Sequence, residues 1–485
     1  MPRLTIAALQ FWVSMNHRAR RRGQRLHLSM LAFAICCGAG CHRVSQDLHV
    51  ATGLISHTLC SETFVGGGDP EVVYAEDLKP RPGLWLINWQ TGYEVDRTNK
   101  EVRATIAGGF ESRAVFHNQL GCLLLQGDAA PDLSLPPTEP VEHRARLPEI
   151  AGPAVVEPSN PKLRAALDHA FAEPTDRRPF RHTKAVVVVH DGHVIAERYA
   201  PGYGIDTPLL GYSASKSIIN AMLGILVRER KLTVEQRAPV AAWSDPNDPR
   251  RAITIDELER MTSGLALDET NGPASPVSRM LYLERDMAGY AESAGLEAAP
   301  GTVWNYTDGN TVILSRIIRD AVGGHTSDVI AFARRELFEP LGMRHVTLEF
   351  DATGTPIGST YMLAPARDWA RFGMLYLDDG VIEGHRILPE GWVTYSASPT
   401  LDSDYGAGFW TNRGTGPDAL GRSQNGMPAD AFFASGLLGQ RVVIIPSERL
   451  VITRFGPAQD FPDFDIEGLL RLVREVIAAT HDVSP

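Results

Sequence analysis

The sequence predicts a chain of mixed α and β structure in two parts: a small, mostly-β unit near the N-terminus and a larger α/β-type domain behind it. Three observations carry that prediction. Short strand-like runs separated by turn residues fill 45–135. A proline-rich stretch from Leu135 to Pro140 then reads as a linker. Beyond it, a hairpin near 185–199 and strands near the C-terminus enclose a helical middle, so that one sheet gathers both ends of the domain.

Residues 1–41 read as a targeting segment rather than as part of the fold. Arg18, Arg20, Arg21, Arg22 and Arg25 precede an apolar run from Leu28 to Gly40, which is too short to span a bilayer and fits a signal sequence. It ends Gly38-Ala39-Gly40-Cys41, small residues before a cysteine, as at a lipoprotein cleavage site. The expectation is an exported protein, periplasmic or anchored to a membrane through a lipid on Cys41. Three of the five cysteines lie in this segment. Cys60 and Cys122 remain, and in an exported protein they form a disulfide or stay as two buried thiols.

In 45–135, the strand-like runs include Val102–Ile106 and Cys122–Leu125, with turns at Gly66-Gly67-Gly68, Pro80–Gly83 and Gly108-Gly109. The linker occupies 136–160, and 161–485 forms the main domain. A helix is expected from Pro161 with Ser159 as its N-cap. Ala185–His190, an Asp191-Gly192 turn and His193–Tyr199 make the hairpin. A helix from Ser213 to Arg230 carries so many apolar residues (Ile218, Ile219, Met222, Leu223, Ile225, Leu226) that it must be buried on most sides. Strands return at Ala431–Ala434, Gln440–Ile445 and Leu450–Thr453, before a closing helix from Ile466 to Thr480.

The 485 residues are 44% apolar and 22% charged, as in a globular enzyme, and the net charge of −11 speaks against a nucleic-acid partner. No C-x-x-C or H-E-x-x-H string points to a zinc site, and no metal or cofactor is expected.

Ser213-Ala214-Ser215-Lys216 is an S-x-x-K motif opening the buried helix. Residues three apart share a helix face, so the amine can reach the hydroxyl, and the helix start favours a developing alkoxide. A second copy, Ser159–Lys162, contains a proline and reads as a helix cap. Tyr306, in Tyr306-Thr307-Asp308, is a candidate proton relay. Ser435-Gly436 at a strand end would let a backbone N–H face a substrate, and with the N–H of Ser213 it would form an oxyanion hole.

S-x-x-K, then the tyrosine element, then a strand-end Ser-Gly, in this order, resembles the serine β-lactamase and penicillin-binding-protein superfamily. Met261-Thr262-Ser263-Gly264-Leu265, Ala366–Gly373 and Gly436–Gln440 agree with it. The likeness runs from about 180 to 455 and is greatest to the class C-like branch that holds 6-aminohexanoate-dimer hydrolases and related esterases. It implies a β-lactamase-like or transpeptidase-like domain with an antiparallel sheet and a helical subdomain. Its substrate would be a small-molecule ester or amide, with Ser213 acylated, Lys216 as general base and Tyr306 as proton shuttle. Leu437 would give the second oxyanion N–H, and Asp308, Asn310, Ser435, Gly436 and Gln440 would lie around the substrate.

Two departures stand out. Ala434 replaces the family's strand cation, which weakens the case for a true β-lactamase or D-Ala-D-Ala peptidase. Asp308 stands where an amide or hydroxyl is usual, and an anion near Lys216 favours its charged form. Either Asp308 points away, or Tyr306 carries more of the proton transfer, or Asn310 takes the amide's place. A catalytically silent binding or sensor domain on the same fold is the alternative.

Overall fold

The structure is a computed structural model. It describes residues 39–127, 135, 145–174, 180–270 and 272–482, with side chains from residue 43 onward. Residues 1–38 of the expected targeting segment, the Cys41 side chain and 136–144 of the expected linker lie outside the described residues. From Leu48 onward the chain forms one compact unit.

Leu48 lies within a helix that the strand-like pattern did not announce, α1 (Ala39–Cys60). Val50, Thr52, Gly53 and Thr58 are poor helix formers. Tertiary packing outweighs them: Ala51, Ile55 and Leu59 bury against a four-stranded antiparallel meander, β1 (Thr91–Asp96), β2 (Glu101–Ile106), β3 (Gly109–His117) and β4 (Gly121–Leu125). β2 and β4 are the two runs expected as strands. Cys60 and Cys122 are joined as a disulfide, tying the end of α1 to β4.

Helix α2 (Pro161–Phe171) starts at the expected proline, but Asn160, not Ser159, caps it by accepting the Lys162 N–H. The hairpin of β5 (Ala185–His190) and β6 (His193–Tyr199) forms as its Asp-Gly turn predicts. Further on come helices α3 (Ser215–Arg228), α4 (Asp308–Val322) and α5 (Ala366–Leu377). The C-terminal strands are β7 (Trp410–Thr411), β8 (Phe432–Gly436), β9 (Gln440–Ile445) and β10 (Leu450–Phe455), and α6 (Ile466–His481) closes the chain.

The main sheet has the order β7-β8-β9-β10-β5-β6 and every pair is antiparallel. β10 pairs with β5, Val451 opposite Val189 and Thr453 opposite Val187, so the two ends of the domain meet in mid-sheet. Ala185, Val187 and Val189 face the core containing α3 and α5; Val186 and Val188 face α2 and α6. Burial on both faces explains why β5 reads as an unbroken valine run rather than an alternating one. α3 is buried from Ser215 to Leu226, as its composition requires.

Candidate active site

Three pieces of chain converge at Ser213. The first is the tight turn Tyr212–Ala214, which leads straight into α3. Ser213 is partly exposed, while Lys216, one turn into the helix, is 2% exposed. The helical spacing brings Lys216 Nζ to 2.9 Å from Ser213 Oγ. The second piece is the loop before α4. Thr307 caps that helix by accepting the Gly309 N–H, which leaves Tyr306 outside its first turn and Asp308 at its first residue. The third is the end of β8. A Cβ on Gly436 would fall inside van der Waals contact of the Gly211 carbonyl oxygen, so only glycine lets this strand end lie against the turn carrying Ser213.

Lys216 Nζ has three acceptors: Ser213 Oγ, the Asp308 carboxylate and the Ser359 carbonyl at 3.1 Å. They match the three N–H bonds of an ammonium. Burial works to lower the Lys216 pKa, but Asp308 in contact, with Tyr306 and Glu269 beyond, holds it well above the usual lysine range. The ammonium also lies 4.8 Å from the centre of the Tyr306 ring. Burial, reinforced by Glu269 and Asp308 against the pull of Lys216 and Ser213, pushes the Tyr306 phenol up. Trp304, Tyr405 and Trp410 surround the Tyr306 ring with centroids at 6.3, 5.5 and 5.6 Å.

Asp308 therefore does not point away from Lys216. Asn310 does not take its place: it is fully buried, accepting from Ser263 Oγ at 2.8 Å and donating to Met261 Sδ at 3.8 Å. Gln440 spends its amide on bracing the turn after β8. Its Nε2 donates to the Leu437 and Gly456 carbonyls, and its Oε1 accepts the Gly456 N–H at 2.9 Å. Ser435 and Leu437 are partly exposed beside the Ser213 turn, and Ala434 is fully buried in the main core. Ser435 pairs across the strands with Arg441, whose guanidinium donates to the Gly436 and Gln440 carbonyls.

Glu269 carries no motif and was not foreseen. Its carboxylate accepts the Asp308 N–H at 2.7 Å, and burial followed by repulsion from Asp308 pushes its pKa up to about 8. The Ser359 carbonyl was equally invisible, since any residue supplies a carbonyl. Among the described residues, no group of three or more His, Cys, Asp or Glu side chains is placed to hold a metal ion.

The sequence and the fold have counterparts in known proteins. The chain is 26% identical over 273 residues to the 6-aminohexanoate-dimer hydrolase of Paenarthrobacter ureafaciens, covering 51% of this chain and 67% of that one. A solved structure from Bacillus anthracis, provisionally named a 6-aminohexanoate-dimer hydrolase, superposes with a TM-score of 0.54 at 22% identity over 71% of this chain and 91% of that one. A family VIII carboxylesterase gives 0.50 at 14% identity, over 67% of this chain and 99% of the other. The family model described as beta-lactamase matches residues 173–468, a span that takes in Ser213, Lys216, Tyr306 and Gly436 and more than half of the sequence, and the chain belongs to that family.

Proposed function

We propose that this enzyme hydrolyses an ester or amide bond of a small molecule through an acyl-enzyme on Ser213. The observation that carries the reading is the 2.9 Å contact between Lys216 Nζ and Ser213 Oγ, with the Tyr306 ring centre 4.8 Å from the same amine and the end of β8 against the turn that bears Ser213. The names of relatives supply the two bond types: one is a dimer hydrolase, another a carboxylesterase.

The Asp308 contact reshapes the expected division of labour. Held as an ammonium, Lys216 serves as a fixed positive charge beside the developing alkoxide rather than as the base. Ser213 Oγ bonds to the carbonyl carbon. Its proton passes to the Tyr306 oxygen while the phenol proton passes to the departing oxygen or nitrogen, so the alcohol or amine leaves neutral. The N–H groups of Ser213 and Leu437 receive the carbonyl oxygen as it becomes negative. Water then bonds to the acyl carbon and yields a proton to Tyr306, which returns one to Ser213 Oγ as the acid leaves. No resident metal or cofactor takes part in this scheme.

The sequence pattern of 1–41 further supports export, with a lipid on Cys41 or a soluble periplasmic form. Mass spectrometry of the mature N-terminus distinguishes the two.

Burst kinetics with p-nitrophenyl acetate and butyrate, on the wild type and Ser213→Ala, test the mechanism. A burst and turnover that vanish in the variant establish the acyl-enzyme. Turnover surviving in Ser213→Ala overturns it. Absence of both activity and phosphonate labelling in the wild type favours the silent-domain alternative.

A further inference from the structure

The residue before Ser213 is held by a part of the chain outside the matched family span. Tyr212 is 4% exposed, and its backbone has φ +47°, a left-handed conformation that is unfavourable for a non-glycine residue and persists only where the surroundings enforce it. Its hydroxyl donates to Asp77 Oδ2 at 2.6 Å and accepts from Arg81 Nη2 at 2.6 Å. Arg81 closes the triangle by pairing with the Asp77 carboxylate and donating from Nε to Asp77 Oδ1 at 3.1 Å. Asp77 is 2% exposed and the Arg81 side chain 10%. Against the cost of burial, Arg81 and the Tyr212 hydroxyl hold Asp77 below the usual carboxylate range.

The segment bearing Asp77 and Arg81 is itself anchored beside the turn. Glu62 pairs with Lys184 at 3.1 Å, the Glu76 carbonyl accepts from Gln459 Nε2 at 3.1 Å, and the segment lies inside the loop closed by the Cys60–Cys122 disulfide. A buried ion pair adds less stability than well-packed apolar side chains of the same volume. What the charged pair adds is a single location for the Tyr212 hydroxyl, and hence for the backbone leading into Ser213.

We infer that Asp77 and Arg81 are positioning residues of the active site, gripping Tyr212 by its phenol oxygen so that the turn presents Ser213 Oγ to Lys216 and Tyr306. The inference rests on the reading of Ser213 as the nucleophile. Small displacements of a reacting group are costly: about 1 Å can lose on the order of 100-fold in rate.

Two variants test it. Tyr212→Phe keeps the ring and removes the grip; its kcat on p-nitrophenyl butyrate should fall about tenfold or more, with KM within about twofold of the wild type. The double variant Asp77→Leu with Arg81→Met replaces the charges by apolar volume. It should show the same loss of kcat while its Tm is unchanged or raised, a separation that a merely stabilising role would not produce. Should the double variant not fold, Tyr212→Phe decides alone. Wild-type kcat in Tyr212→Phe overturns the proposal. A wild type without Ser213-dependent turnover or labelling overturns the nucleophile assignment instead, and is recognised before any Tyr212 variant is made.

Discussion

At Lys216, three acceptors surround one nitrogen, and the strongest is the Asp308 carboxylate. Its charge sets the pH dependence. Asp308→Asn removes the anion that raises the Lys216 pKa, so the ammonium is lost at lower pH and the alkaline limb of kcat/KM moves downward. A variant more active than the wild type at neutral pH would show instead that the neutral amine is the base. Ser213, Lys216 and Tyr306 were legible in the sequence because helical spacing and motif order place them. Glu269 and Ser359 were not, because their contacts with the Asp308 N–H and with Lys216 join segments far apart in the chain. Asp77 and Arg81 belong with these: four residues apart they read as a local ion pair, and nothing local shows that Tyr212 completes it.

Elements announce themselves when their partners are neighbours. The β5–β6 hairpin was legible from its Asp191-Gly192 turn, and α3 from its apolar density. α1 was not, since its helicity comes from packing on a meander formed more than thirty residues later. Two predictions belong here. Gly436→Ala puts a methyl against the Gly211 carbonyl and pushes β8 away from the Ser213 turn. Steady-state assays should show kcat reduced about 100-fold, with far-UV circular dichroism unchanged. Replacing both Cys60 and Cys122 by serine releases a bridge spanning 62 residues, and chemical denaturation should show a loss of about 2–4 kcal/mol.

Across the whole molecule, buried carboxyls make stability depend on pH. Glu259 is 2% exposed, with Asn220 Nδ2 as its donor at 3.1 Å, and burial raises its pKa from 4.5 to about 7. The folded state keeps this proton where the unfolded chain has released it. Stability therefore falls as pH rises from about 4.5 to 7, by up to about 3 kcal/mol for this one group. Glu62, raised to about 7 by burial, acts in the same direction. The Tm should be lower at about pH 8 than at about pH 5, and Glu259→Gln should narrow the difference. At this scale the sequence showed a sheet uniting both ends of the domain, but not how the N-terminal segment meets the Ser213 turn, which rests on contacts such as that of Arg81 with Tyr212.

The pairing of β5 with β10 carries a consequence for biosynthesis. Ala185–His190 leaves the ribosome long before its partner Leu450–Phe455 has been translated. Until then the valine run has only β6 beside it and an open edge on the other side. A nascent chain exposing such an edge is a natural client for holding chaperones. A stop codon shortly before Leu450 would release a product that cannot close its sheet, although it would still contain Ser213, Lys216 and Tyr306.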